Sequence, residues 1–183
     1  SDLHVTSVVN AYDDGKSTGE VRRVFHMLGP SDIRKVQELM LPKENPEYLE
    51  SLSLFRYRFP PNCASEYAQE KINKFVFSDS SNLIESEIIS HKIRVNIKIF
   101  LRCFLEFIKS IYVLNSDKFN FSDSSIMNCV YAGAYIYFNR DLQQATRFIG
   151  QLFGLKGLVL STSNENKTLV ALRENGEMLY SEA

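Results

Sequence analysis

The feature that most constrains the fold is a segment, residues 85–114, that is apolar on nearly every face of a helix. On a helical wheel its Phe, Ile and Leu side chains fill most of the circumference and leave one narrow basic stripe. A helix of this kind lies in the middle of a fold or between the fold and a partner. A straight helix over this range would be about 45 Å long, which is longer than a domain of this size needs. We therefore expect a break near Ser90 or Asn96.

The basic stripe on this helix consists of Arg94, Lys98, Arg102 and Lys109. Because such charges interrupt the apolar run, we predict neither a membrane span nor a membrane partner. The stripe has two interpretations. Long basic side chains cover apolar neighbours at a solvent-exposed edge, or the four cations form a line that binds an anion or an acidic partner. We take these four residues as the candidate partner- or anion-binding site.

Two short segments have nearly the same sequence: residues 74–81 read KFVFSDSS and residues 118–125 read KFNFSDSS. Ser and Asp side chains are typical of helix N-termini, where they accept hydrogen bonds from unpaired N–H groups. Each segment precedes a helical pattern, so we predict two separate helix starts. A duplicated two-helix unit is the alternative, but the residues that follow the two segments do not match.

Shorter patterns predict strands at both ends of the chain and helices in the middle. Predicted strands cover 3–12, 20–27, 52–59, 158–162, 168–172 and 177–180, and predicted helices cover 31–41, 126–138 and 142–153 besides the long one. Asn175-Gly176 is typical of a tight hairpin turn. Together these elements predict one α+β domain over residues 1–183. Its central helical block (about residues 81–153) is expected to pack on a small mixed or antiparallel sheet, built from the N-terminal strands and a C-terminal three-stranded meander.

Residues 8–18 (VVNAYDDGKST) place the sequence GKST after a predicted strand, as in a phosphate-binding loop. The pattern requires a further glycine where Asn10 stands, and Asp13 and Asp14 would put negative charge beside the phosphates. The composition of residues 13–19 is that of an ordinary turn. We therefore predict a solvated hairpin loop here and not a nucleotide site.

Charge and residue counts narrow the classes of function. The chain has 21 Lys and Arg against 22 Asp and Glu, a net charge of −1, so binding to nucleic acid would need a local patch. The cysteines (Cys63, Cys103, Cys129) and the histidines (His4, His26, His91) stand far apart, in no spacing typical of a disulfide framework or a metal site. We predict a reduced, intracellular protein of the cytoplasm or nucleus, with no metal and no cofactor.

The predicted function follows from missing motifs and from aromatic content. The motifs of the common hydrolases and dinucleotide enzymes are absent, and the chain contains 13 Phe and 9 Tyr. Aromatic residues dominate protein interfaces. We therefore predict a non-enzymatic protein-protein interaction domain, a small subunit or adaptor of a larger intracellular complex whose partner is another protein subunit. Two alternatives stay open: a nucleic-acid-binding module that uses the basic stripe, and an enzyme whose site converges only in the fold.

Overall fold

A computed structural model describes residues 4–13, 15–78, 89–114, 118–163, 165, 167 and 170–179, and helices make up more than half of these residues. In these ranges the helices are α1 (Lys16–Phe25), α2 (Ser31–Leu39), α3 (Tyr48–Arg56), α4 (Ser65–Phe77), α5 (His91–Leu114), α6 (Ile126–Tyr137) and α7 (Leu142–Leu152). The strands are β1 (Thr6–Val9), β2 (Leu158–Ser161), β3 (Ala171–Leu172) and β4 (Met178–Leu179). The described part of the chain is therefore a mixed α/β fold with seven helices and small sheets. Across those same ranges, no helix combines the length and the apolar character that a bilayer crossing requires.

The sheets differ from the predicted ones in partners and in direction. β1 and β2 pair in parallel, with Val8 opposite Leu160. β3 and β4 form a separate antiparallel pair. The predicted three-stranded meander is wrong, because β2 pairs with the N-terminal strand and not with its neighbours in sequence. The turn at Asn175-Gly176 is confirmed, since Gly176 has a φ of 83°, which glycine adopts without steric cost.

Two of the predicted strands are helices. Residues 20–25 belong to α1, where the buried apolar side chains recur at helical spacing. Residues 52–56 belong to α3, in which Leu54 and Phe55 are both buried. Two successive buried residues fit a helix face and not the in-and-out alternation of a strand. The partial alternation of Leu and Arg in 52–59 was therefore misleading.

The other predicted helices are present at nearly the predicted bounds. Residues 31–41, 126–138 and 142–153 correspond to α2, α6 and α7. Asp141 caps α7 by accepting a hydrogen bond from the N–H of Gln144 (2.8 Å). The predicted strand ends at residues 168–169 and 180 lie outside the described residues.

The long apolar helix is central, as its sequence predicts. α5 packs along α6, and the side chains of Ile97, Phe100 and Phe104 are almost completely buried. Gly133 of α6 permits this close packing, because a Cβ at that position would collide with the main-chain carbonyl of Phe100. α5 begins directly after Ser90 and continues without a break through Asn96. Residues 85–88, which we predicted to extend it, are not among the described residues.

The two near-identical segments have different structures. Residues 74–77 form the last turn of α4, whereas residues 118–121 are not helical. α6 begins directly after Ser125, so the helix start predicted for the second segment is confirmed, although Ser125 makes no side-chain capping hydrogen bond. Residues 79–81 of the first segment lie outside the described ranges. Nearly the same residues adopt two different backbone conformations, which argues against a duplicated unit.

Candidate functional site

The carboxyl edge of the β1–β2 pair is where several helices begin. β1 leads through a short loop into α1, which starts inside GKST at Lys16. The predicted solvated hairpin loop is therefore wrong, because GKST continues into a helix and not into a second strand. Since β1 and β2 are parallel, both strands end at this edge. In open α/β sheets, ligands bind beyond the carboxyl ends of the strands.

The chain returns to this edge just before α2. The N–H of Gly29 donates to the carbonyl oxygen of Ala11 (2.8 Å). A Cβ on Gly29 would stand 2.5 Å from Thr18 Cγ2 and 2.6 Å from the Asp13 carbonyl oxygen. Both distances are too short for non-bonded atoms, so this segment needs glycine to lie against the first turn of α1. As a result α2 begins beside the start of α1.

Four polar side chains from three helices meet behind this edge, and we call them the polar junction: Ser17 and Thr18 of α1, Ser31 of α2 and Asn128 of α6. The Asn128 amide donates to Ser31 Oγ (3.1 Å) and to Ser17 Oγ (3.3 Å). The hydroxyl groups of Thr18 and Ser31 are hydrogen-bonded to each other. All four side chains are buried. The polar junction therefore joins the first turns of α1, α2 and α6.

The first turn of a helix carries N–H groups that have no hydrogen-bond acceptor within the helix. It is also the positive end of the helix dipole. The residues directly before α1, α2 and α6 are Gly15, Pro30 and Ser125, and none of the three makes a side-chain capping hydrogen bond. Convergence of three such ends favours a negatively charged group, as at known phosphate sites.

Some polar atoms around the polar junction have no partner within the described structure. They are Asn128 Oδ1 and the hydroxyl oxygen of Ser125. Both residues are completely buried. Buried polar atoms are hydrogen-bonded in the great majority of cases, because leaving one unpaired costs about 1–3 kcal/mol. Of these atoms, the Ser125 hydroxyl can donate to an anion, whereas Asn128 Oδ1 can only accept a hydrogen bond.

A cleft of about 400 Å³ opens beside Ser17. Its walls come from α1 and from two loops, with Ser17, Glu20, Pro61, Asn120, Ser122 and Asp123 as the lining residues. Asn120, Ser122 and Asp123 belong to the second KFxFSDSS segment, so that segment forms a wall of the cleft besides starting α6. Asp123 has a φ of 51°, an uncommon conformation for a non-glycine residue that recurs at functional sites.

Each carboxylate in the cleft lies beside an arginine. Glu20 pairs with Arg23 (2.8 Å) and accepts a hydrogen bond from the N–H of Asn120 (2.7 Å). Arg58 donates to the carbonyl oxygen of Asp123 (2.6 Å) and lies 3.5 Å from its carboxylate. Because both carboxylates have a cationic neighbour, they do not create a strong negative field that would repel an anion.

The residues of the basic stripe lie elsewhere, on α5. Arg94 and Lys98 lie over the ring of Phe75, at 5.4 Å and 5.8 Å from its centroid. Arg102 pairs with Glu106 (2.9 Å), and Lys109 is exposed. The structure thus brings Arg94 and Lys98 together over α4, and none of the four lines the cleft. Binding of a partner or an anion by the stripe stays a prediction.

The cysteines are not activated nucleophiles. Cys129 is completely buried, which raises the pKa of its thiol to about 12. Burial also raises the pKa of the Cys63 and Cys103 thiols above their ordinary value. A protonated thiol is a weak nucleophile and a weak metal ligand. Within the described ranges, no three His, Cys, Asp or Glu side chains are grouped so as to hold a metal ion.

Sequence reasoning did not select the residues of the polar junction. Ser17 and Thr18 belong to GKST, which was taken as a turn, and Ser31 was only the first residue of the predicted helix over 31–41. Asn128 stands in an apolar run and carried no signal of its own. The usable signal was the predicted starts of α2 and α6, but the start of α1 was not predicted and the convergence of the three depends on the tertiary fold.

Comparison with known proteins identifies relatives of this fold. The model of the family described as "2-phospho-L-lactate transferase CofD" matches residues 2–183. A crystal structure of a UPF0052 family member from Bacillus halodurans superimposes with a TM-score of 0.59 at 18% identity, over 98% of this chain and 38% of that one. A second crystal structure from the same organism gives a TM-score of 0.58 at 18% identity, over 97% and 38% of the two chains. At this identity the likeness concerns the fold alone.

Two curated relatives share a shorter segment with this chain. A protein named "Gluconeogenesis factor" from Listeria monocytogenes is 41% identical over 58 residues, which are 32% of this chain and 17% of the relative. The protein of the same name from Listeria innocua is 40% identical over 58 residues, with the same coverage. The chain thus matches less than a fifth of the length of these two relatives and 38% of the solved ones.

These matches overturn the predicted function. A model of a transferase family covers nearly the whole chain, so the prediction of a non-enzymatic interaction domain, a small subunit or adaptor, is wrong. The prediction relied on missing local motifs, but here polar side chains from separate helices converge only in the fold. Of the two alternatives left open by the sequence, the one that agrees with a transferase family is an enzyme whose site converges only in the fold.

Proposed function

The chain belongs to the CofD family of 2-phospho-L-lactate transferases, and from this membership we propose that it is part of a transferase that holds a phosphorylated small acid at the polar junction. The family's named substrate carries a phosphate and a carboxylate on a short carbon chain. Because the chain spans 38% of the solved relatives, the proposal concerns the share of the site that this chain supplies.

One observation carries the proposal: the first turns of α1, α2 and α6 meet beside a cleft. Ser17 belongs both to the polar junction and to the wall of that cleft. A phosphate group in the cleft next to Ser17 would face N–H groups and hydroxyl groups, which donate hydrogen bonds to anionic oxygens.

The wall of the cleft at the polar junction and the walls that carry Glu20 and Asp123 suit different parts of a transfer reaction. On the side of the polar junction, fixed N–H and hydroxyl donors would orient the phosphate and stabilise charge that develops on its oxygens. On the other sides, the carboxylate of Glu20 or Asp123 can accept the proton of an attacking hydroxyl group, while the bond between the phosphorus and the leaving oxygen of the donor molecule breaks. Their arginine neighbours hold both carboxylates in place.

Calorimetric titration tests this proposal with three ligands: 2-phospho-L-lactate, L-lactate and inorganic phosphate. We expect binding of 2-phospho-L-lactate, weaker binding of phosphate and none of L-lactate, because the phosphate supplies the charge that the three helix ends favour. Replacing Ser17 with Ala removes a hydroxyl from both the polar junction and the cleft. It should weaken binding of 2-phospho-L-lactate about tenfold, the usual effect of losing one hydrogen bond to a charged group.

The matched control is Ser53→Ala, which makes the same chemical change on the exposed face of α3. This variant should bind 2-phospho-L-lactate like the wild-type protein. Equal binding of L-lactate and 2-phospho-L-lactate would contradict the proposal, and so would an undiminished affinity of the folded Ser17→Ala variant.

A further inference from the structure

Arg22, two turns into α1, connects two loops that are far apart in the sequence. Its guanidinium donates to the carbonyl oxygens of Tyr12 (2.6 Å) and Asp13 (3.3 Å) in the loop after β1. It also donates to the carbonyl oxygen of Lys167 (2.6 Å), which lies beyond β2. The arginine is buried, with 7% of its surface exposed.

Burying a cation is costly unless hydrogen bonds compensate for the lost water. A guanidinium has five N–H donors in a rigid planar fork, so one arginine can hold two chain segments at a fixed separation. The ammonium group of lysine is a compact charge without this fork. Holding both segments from residue 22 therefore requires the planar fork of N–H donors and not only a positive charge.

The two connected segments belong to one functional edge. β1 and β2 are neighbours in the parallel pair, so the loops that follow them leave the same side of the sheet. Asp13 also accepts a hydrogen bond from the N–H of Gly15 through its carboxylate (3.0 Å), directly before α1 begins. The position of the Tyr12–Asp13 loop therefore affects the position of the first turn of α1, which carries Ser17 and Thr18.

We infer that Arg22 is a positioning residue: it fixes the loops after β1 and β2 against each other and so holds the first turn of α1 in the geometry that binds the phosphorylated ligand. This inference rests on the proposed function for the identity of the ligand. Arg22 does not line the cleft, so it acts through the backbone that it holds.

The experiment combines amide hydrogen exchange with ligand titration on Arg22→Lys, which keeps the charge and removes the fork. We expect faster exchange in the peptides that contain Tyr12 and Asp13 and in the peptide that contains Lys167. Affinity for 2-phospho-L-lactate should fall about tenfold or more. The control is Arg147→Lys, the same change on the exposed face of α7, and it should alter neither quantity.

A second variant keeps the test decisive if Arg22→Lys does not fold. Arg22→Gln has two donors and can hold one segment, so exchange should rise mainly in the other. Unchanged exchange in both segments of a folded variant would overturn the inference, and so would faster exchange with undiminished affinity. A wild-type protein that does not bind 2-phospho-L-lactate would overturn the proposed function instead, and the exchange data would then decide whether Arg22 connects the loops.

Discussion

Two buried polar clusters lie one turn apart along α6: the Gln37–Tyr131 pair and the polar junction. They differ in how their polar atoms are used. Tyr131 donates to Gln37 Oε1, and the Gln37 amide donates to the carbonyl oxygen of Thr146 (2.8 Å), so both side chains are engaged. Three residues earlier on α6, Asn128 bonds Ser17 and Ser31 but leaves Oδ1 unused. We therefore expect the pair Gln37 and Tyr131 to stabilise the fold, and the polar junction, whose Ser17 also lines the cleft, to serve a ligand.

The largest effect on ligand binding is expected from a change that crowds the polar junction. Replacing Gly29 with Ala forces a methyl group against Thr18 and the Asp13 carbonyl, so the first turn of α1 must move. We expect a loss of about 1–3 kcal/mol in the free energy of unfolding and loss of detectable 2-phospho-L-lactate binding. Denaturant unfolding and calorimetry measure the two quantities. A stable variant with normal affinity would show that this close approach is unimportant.

The next change removes the hydrogen bonds of the Gln37–Tyr131 pair and leaves the polar junction intact. Gln37→Ala takes away both hydrogen bonds of Gln37 and leaves the buried Tyr131 hydroxyl without an acceptor. We expect the free energy of unfolding to fall by about 2–3 kcal/mol, while the folded variant binds ligand as the wild type does. Urea unfolding, followed by titration below the transition, provides both values. If affinity falls as much as stability, the two clusters are not separate in function.

The converse change removes a hydroxyl that the described structure does not use. Ser125 is completely buried, and its Oγ lacks a partner among the described residues. Because Ser125→Ala breaks no side-chain hydrogen bond among the described residues, the free energy of unfolding should change by less than about 0.5 kcal/mol. Binding of 2-phospho-L-lactate should weaken several-fold. A clear loss of stability with unchanged affinity would assign this hydroxyl to the fold.

The smallest effect is expected at the basic stripe. Replacing Arg94 and Lys98 together with Gln removes two cation–π contacts to Phe75. Contacts of this kind at partly exposed sites contribute about 0.5–1 kcal/mol each, so a small loss of thermal stability should follow, with normal ligand affinity. Thermal unfolding and titration of the double variant test this expectation. A large loss of affinity would place an anion on the stripe and not at the polar junction.

Local patterns predicted much of the helical structure. α2, α6 and α7 were found because their apolar spacing is set by a few neighbouring positions. The central place of α5 followed from its apolar circumference, and the hairpin turn followed from Asn175-Gly176. Each of these features depends on residues that are close in the sequence.

The parallel pair and the polar junction could not be predicted in this way. β1 pairs with β2 across nearly the whole chain, and nothing in the sequence of either strand specifies that partner. The error at residues 20–27 had the same origin, because a short apolar run fits a strand or a helix until its packing is known. Asn128 gains its role only where α6 meets α1 and α2.

Amide chemical-shift mapping tests the central claim most directly. The wild-type protein, labelled with ¹⁵N, is titrated with 2-phospho-L-lactate, and the shifts of all backbone amides are followed. The account predicts saturable shifts concentrated at Ser17, Thr18, Ser31 and Asn128, and none at Lys98 or Arg102 on α5. Shifts confined to α5, or the absence of shifts at the starts of α1, α2 and α6, would contradict the assignment of the polar junction as the ligand site.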